Sequence, residues 1–195
     1  MFSVRQALRA FRMTRTVGIT GLSGVVAGSL GTYLGKKDFT VLSLDTLTRV
    51  SERPNQIPDG RNMDWVIHFG AHTSIQESWE DPFKYYKENS MATLSALEIA
   101  HLGKASFIYI SSYVYGVPQY TPIDEKHPVS ASNPYMGSKL ISEAICSEVS
   151  GRLGIPLIIF RPFHIYGPKG KLGRLIPDLV AQASRGDALT VKDPN

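Results

Sequence analysis

From Thr16 onward, short and nearly unbroken apolar or β-branched runs alternate with longer stretches of mixed character, and each run is closed by Gly, Asp, Ser or Pro. The runs Thr16–Thr20, Thr40–Leu44, Trp65–Phe69, Ser106–Ile110 and Leu157–Phe160 read as strands, because continuous apolarity suits parallel strands covered on both faces. Helices are predicted at Gly24–Leu34, Pro82–Leu102, Pro134–Arg152 and Ile176–Arg185. The second and third open on a proline at the first turn, where the missing N–H costs nothing. Such alternation predicts an α/β fold, a doubly wound parallel sheet with helices on both faces. The polar segment Thr46–Met63, with Pro54 and Pro58, offers no convincing strand, so a third strand there is expected to be short or absent.

With 195 residues, 43% of them hydrophobic, the chain can bury one sizeable core. No apolar run approaches the roughly 20 residues that span a bilayer. Glycine and proline are dispersed, which excludes collagen-like and disordered classes. The single cysteine, Cys146, excludes an internal disulfide and a cysteine-based metal site. A reducing cytoplasm fits best, and Cys146, amid apolar neighbours, reads as core. Four of the 21 basic residues, Arg5, Arg9, Arg12 and Arg15, stand in the first fifteen positions, leaving 17 against 17 acidic ones. The body of the protein is therefore neutral and gives no support to a nucleic-acid-binding face. The acid-free stretch 1–15 reads as a disordered tail, an upstream extension before Met13, or an amphipathic transit peptide, and stands outside the fold.

Chemistry enters at Thr16–Ala27, where a strand runs into a glycine turn and then a helix. In that order Gly21 permits the tight turn and Gly24 lets backbone N–H groups approach a pyrophosphate. The helix start turns its positive dipole end toward the anion. Ala27 takes the third position, which demands only close packing. Asp45, about two dozen residues after Gly21, can accept from a ribose 2′-OH, which favours NAD over NADP. The plain alternative is an ordinary strand-to-helix turn with Asp45 capping a loop.

Tyr135 and Lys139 stand at i and i+4 of a predicted helix, on one face and a turn apart. An ammonium beside a phenol lowers the phenol's pKa and makes it a proton acceptor near neutrality. Upstream, Ser111 and Ser112 follow a strand and put hydroxyls at the carboxyl edge of a parallel sheet, where open α/β sheets bind ligands. Taken alone, Tyr-x-x-x-Lys would be a solvated pair; its place after the glycine turn and the serines argues for chemistry. His68, at the end of a buried strand, has no metal-binding partners in the sequence and reads as a packed, hydrogen-bonded core histidine.

Together, Thr20-Gly21-x-x-Gly24, Leu44-Asp45, His68-Phe69-Gly70-Ala71, Asn89-x-x-x-Thr93, Ser111-Ser112-x-Val114-Tyr115-Gly116, Asn133-Pro134-Tyr135-x-x-Ser138-Lys139 and Arg161-Pro162-Phe163-x-x-Tyr166-Gly167-Pro168 make the sequence resemble the extended short-chain dehydrogenase/reductases, the NAD-dependent epimerase/dehydratase family. The segments His68–Ser78 and Tyr85–Thr93 look most like UDP-glucose 4-epimerases. The resemblance implies a Rossmann-like NAD-binding domain over 16–174 and the start of a truncated substrate-binding region over 175–195. It implies Tyr135 as catalytic base, Lys139 as the residue that lowers its pKa and holds the nicotinamide ribose, and Ser111 on the reacting hydroxyl. Gly21, Ser23, Gly24, Asp45, Phe69, Ala71, Asn89, Tyr135, Lys139, Pro162 and Phe163 would line the NAD site, with Ser112 and His164 toward a nucleotide-sugar substrate and no metal. It further implies a homodimer built on the two long helices.

Three departures from the family pattern narrow the expectation. Ser112 and Tyr113 stand where the family's dehydratases carry an Asp-Glu pair, which disfavours a 4,6-dehydratase. His164 stands where the family usually has Asn. The shortened segment Thr46–Met63 lacks a clear counterpart of the acid that contacts adenine, for which Asp59 or Asp64 could substitute. The leading expectation is an epimerase working by transient hydride transfer to NAD. The alternatives are an NAD(P)-dependent reductase or dehydrogenase of a small carbonyl or sugar, and an inactive NAD-binding fragment.

Overall fold

The computed structural model of the chain describes residues 15–45, 63–167, 170 and 172–191. The tail before Arg15, Asp59 and most of the expected strandless segment 46–63 lie outside them. Five parallel strands form one sheet in the order β2-β1-β3-β4-β5: β1 (Arg15–Thr20), β2 (Phe39–Ser43), β3 (Trp65–His68), β4 (Ser106–Ile110) and β5 (Leu157–Phe160). The helices are α1 (Val25–Gly35), α2 (Ile75–Glu80), α3 (Pro82–Leu102), α4 (Pro134–Leu153) and α5 (Leu175–Arg185). The chain passes from β1 outward to β2, then back across β1 to β3. The strand order therefore reverses at the carboxyl ends of β1 and β3, where such sheets take ligands.

Alternate residues of the central strands bury on opposite faces. Val17, Ile19 and Ile67 pack with Ala27 of α1 on one face. Val66, Phe107 and Tyr109 pack with Leu97 of α3 and Cys146 of α4 on the other, and the thiol is a core group as expected. Local signals set the helix limits. Pro82 and Pro134 occupy first-turn positions, Asp81 accepts from Lys84 N–H at 3.0 Å, and Asn133 accepts from Met136 N–H at 2.9 Å. At its far end α4 stops on Gly154 in the left-handed conformation.

Two features depart from the sequence expectation. Helix α2 is additional; its six residues are too few to show a period, although Ser74-x-x-Glu77 is a capping sequence, and Ser74 does accept from Glu77 N–H at 3.2 Å. Strand β5 is not covered on both faces, because it lies at the sheet edge with Ile158 and Phe160 exposed. The chain divides into two compact units, Met1–Pro162 and Phe163–Asn195. The second holds α5, whose start is tied by Gly173 N–H donating to Asp178 at 2.8 Å.

Gly18, in the middle of β1, is required by packing: a Cβ there would lie 2.6 Å from Leu44 Cδ1 and 2.7 Å from Met63 Sδ. Both side chains are fully buried and fill the space the glycine leaves. Gly18→Ala is expected to destabilise the chain by about 1–3 kcal/mol through overpacking, read as a lower urea midpoint with an unchanged slope; an equal midpoint would show that Leu44 and Met63 can give way.

Candidate functional site

The turn after β1 is built by close backbone approach. Gly21 has φ +70°, and a Cβ on it would lie 3.0 Å from Gly70 N and 3.1 Å from Phe69 C, in the loop after β3. Only glycine satisfies both conditions. Gly24 N–H then donates to Gly21 O at 2.8 Å and α1 begins. Its N-terminus has no side-chain cap and no acid in its first turn, whereas α2, α3 and α4 are capped by Ser74, Asp81 and Asn133. With Ser23 and Gly24 exposed beside it, this end presents free N–H groups and the positive end of the helix dipole. Asp45, just beyond β2, accepts from Gly21 N–H and from Leu22 N–H at 3.1 Å. Its carboxylate braces the turn and keeps lone pairs for a further donor. An uncapped N-terminus, a turn with glycine at its two close-approach positions and a carboxylate acceptor together fit a dinucleotide.

The second constellation sits at the start of α4. Lys139 is 3% exposed, with its Nζ 4.3 Å from the centre of the Tyr109 ring on β4. Burial lowers its pKa to about 7, with Cys146 and Glu143 pulling the other way. Burial drives the Tyr109 phenol well above its ordinary range. The Ser142 hydroxyl opposes that rise, although the two hydroxyls do not meet in hydrogen-bond geometry. Two residues beyond Tyr109, Ser111 donates its N–H to Phe160 O at 2.7 Å, while its buried Oγ has no hydrogen-bond partner. A buried hydroxyl left unpaired at the carboxyl edge is costly, and a ligand hydroxyl would satisfy it. Tyr135 stands half-buried at the first turn of α4, and its carbonyl accepts from Ser138 Oγ at 2.7 Å. Gly137 lets α3 come close, because a Cβ there would meet the Tyr86 ring. The paired tyrosines accordingly divide, Tyr85 buried and Tyr86 partly exposed.

The remaining residues separate. Phe69, Ala71 and Ser112 are half-buried in the loops after β3 and β4. Asn89 is buried, and its amide is engaged: Oδ1 accepts from His72 N–H at 2.8 Å, and Nδ2 donates to His72 O and Ser138 Oγ. Pro162 ends the first unit, and Phe163 and His164 open the second, both exposed. Asp64 accepts from Thr16 N–H at 2.8 Å at the amino edge, the opposite end of the sheet from the glycine turn. Glu143 was not singled out by the sequence reading. It is buried four residues after Lys139 and takes a forked ion pair from Arg161, with Nη2–Oε2 at 2.6 Å and Nε–Oε1 at 3.0 Å. Arg161 also lies over the Tyr115 ring at 5.2 Å, and the Glu143 bond raises its pKa further. The i+4 spacing from Lys139 was the available signal. Among the described residues no group of three His, Cys, Asp or Glu side chains could hold a metal ion, and no helix is long and apolar enough to cross a membrane.

The sequence model of the NAD dependent epimerase/dehydratase family matches residues 17–194. A UDP-glucose 4-epimerase from Cyamopsis tetragonoloba is 33% identical over 148 residues, 73% of this chain and 41% of that protein. Among solved structures, RMD from Pseudomonas aeruginosa complexed with NADPH superposes with a TM-score of 0.77 at 30% identity, covering 89% of this chain and 63% of that one. A UDP-glucose 4-epimerase from Brucella ovis in complex with NAD gives 0.72 at 27% identity, covering 88% and 62%. The chain thus spans less than two thirds of the length of these relatives.

The buried lysine predicts a pH dependence. Unfolded, Lys139 holds its proton up to about pH 10.5, whereas folded it releases it near 7. Between these values the unfolded state binds more protons, so the penalty for burying the lysine shrinks as pH rises. Unfolding of the parent and of Lys139→Met is expected to show the variant's stability advantage greatest below pH 7 and falling toward pH 10; a constant difference would refute the shift.

Proposed function

The chain belongs to the NAD-dependent epimerase/dehydratase family, and from that premise we propose that it carries the cofactor and proton-transfer machinery of a nucleotide-sugar epimerase. The observation that supports this most is Lys139, buried one helical turn from Tyr135 against Tyr109, the strand residue two positions before the unpaired Ser111 hydroxyl. Gly21, Ser23, Gly24 and Asp45 would hold the pyrophosphate and adenosine ribose, with Phe69 and Ala71 flanking the site and Pro162 toward the nicotinamide end. NAD, when bound, supplies reversible hydride acceptance at a sugar carbon. Ser111 donates to or accepts from the reacting hydroxyl and fixes its direction. Tyr135, as phenolate, takes the hydroxyl proton and later returns it. Lys139 stabilises the phenolate by its charge and donates to the nicotinamide ribose. The hydride exchange that bound NAD would supply is what would allow a sugar carbon to invert.

Asp45 favours NAD, since a 2′-phosphate beside its carboxylate would be repelled. The NADPH complex of the Pseudomonas relative keeps a second reading in play, a reductase of a small carbonyl or sugar, which would accumulate oxidised cofactor with an alcohol. We place the protein in the cytoplasm, and exposed Phe83, Met91 and Leu94 on α3 with Ile141 on α4 support pairing of these helices in a homodimer. Sedimentation at micromolar concentration should show the dimer.

The deciding experiment is proton NMR of the chain with NAD and UDP-galactose. Saturation transfer to both ligands and slow appearance of the C4 epimer are expected. Tyr135→Phe should keep NAD binding and lose turnover by about 10²–10⁴-fold; turnover within a few-fold of the parent would end the mechanism.

A further inference from the structure

His68 does more than fill the core. It is buried at the carboxyl end of β3, stacked near Phe107 and Tyr109. Its two ring nitrogens reach different elements: Nδ1 lies 2.7 Å from Thr20 Oγ1, at the start of the glycine turn, and Nε2 lies 3.2 Å from Thr93 Oγ1 on α3. The hydroxyl protons settle the directions. Thr93 donates its one proton to Asn89 O at 2.8 Å, so it accepts from His68 Nε2–H. A neutral ring then leaves Nδ1 as acceptor, and Thr20 donates to it while accepting from Gly70 N–H at 2.9 Å. Beyond Thr93, Asn89 Nδ2 donates to Ser138 Oγ at 2.9 Å, and Ser138 donates to Tyr135 O. Thr20, His68, Thr93, Asn89 and Ser138 are all buried, so no water competes for these bonds. Burial, with the Lys139 charge nearby, lowers the imidazole pKa to about 3 and keeps the ring neutral.

We propose that His68 is a positioning residue, the Nε2–H tautomer joining the cofactor-binding turn to α3 at Thr93, whose neighbour Asn89 carries the link on to Ser138 of the helix that bears Tyr135, so that cofactor binding at one end and placement of that helix at the other depend on the same buried contacts. This rests on the reading of the turn as an NAD site and of Tyr135 as the base. Thr20, His68 and Thr93 donate in one direction, ending on the Asn89 carbonyl, so removing the Thr93 hydroxyl leaves the buried Nε2–H of His68 unpaired at the one link between the turn and α3.

The test uses the full chain in two measurements. Long-range proton–nitrogen NMR on histidine-labelled protein should show His68 with a proton on Nε2 only, unchanged between pH 5 and 8; an Nδ1–H or doubly protonated ring overturns the proposal. The second is NAD affinity. Thr93→Val, which touches no part of the turn, should weaken NAD by about tenfold. Thr93→Ser, which keeps the hydroxyl, should restore it, and Thr93→Val should cost nothing further in a His68→Phe background. NAD affinity unchanged in folded Thr93→Val, or equal losses in Thr93→Val and Thr93→Ser, overturns the proposal while leaving the NAD site standing. A parent chain that binds no NAD removes the reading beneath it as well.

Discussion

The carboxyl edge of this sheet depends on how closely two turns approach. The loop after β1 lies against the loop after β3 with only 3.0 Å between a would-be Cβ on Gly21 and Gly70 N. At that separation no side chain fits on Gly21, and the facing peptide N–H groups are held by internal bonds, Gly70 N–H to Thr20 Oγ1 at 2.9 Å and Gly24 N–H to Gly21 O at 2.8 Å, which fixes the turn in place. Asp45 reinforces the arrangement from the far side by accepting from Gly21 and Leu22 N–H. The same proximity puts Thr20 and His68 side by side and lets the edge communicate inward.

Much of this was legible in the amino-acid order. The strand runs were recovered within a residue at each end, because buried parallel strands leave an uninterrupted apolar signature, and Pro82, Pro134 and Asn133 mark helix starts by local chemistry. Tyr135, Lys139, Ser111 and Gly21 stand out by their order along the chain: strand, glycine turn, strand-end serines and then a helix with Tyr and Lys a turn apart. Relations across long separations left less trace. Ile158 and Phe160 read as covered on both faces, yet exposure depends on what packs over β5, not on β5 itself. Asn89 read as a lining residue, whereas its amide is engaged with His72 and Ser138. A buried amide's partners are set by tertiary contact and leave no trace in spacing.

The Glu143–Arg161 pair illustrates the same limit. Neither residue is unusual alone, and burying one without the other would be strongly unfavourable. Joined, they tie the end of β5 to the helix face that carries Lys139, with the Tyr115 ring beneath the guanidinium. Glu143 still favours the charge on Lys139, but burial outweighs it and leaves the lysine's pKa near 7 rather than in the usual amine range.

Gly18 carries a broader consequence. Leu44 and Met63 meet over it, so the chain that leaves the sheet after β2 and the chain that re-enters before β3 are anchored at one point in the core. Packing holds these two points together, so their place in the core does not depend on how many residues join them. Variation in the part of the chain nearest Asp45 is thereby uncoupled from the stability of the sheet. New side chains could be tried beside Asp45 without the fold having to be rebuilt around them.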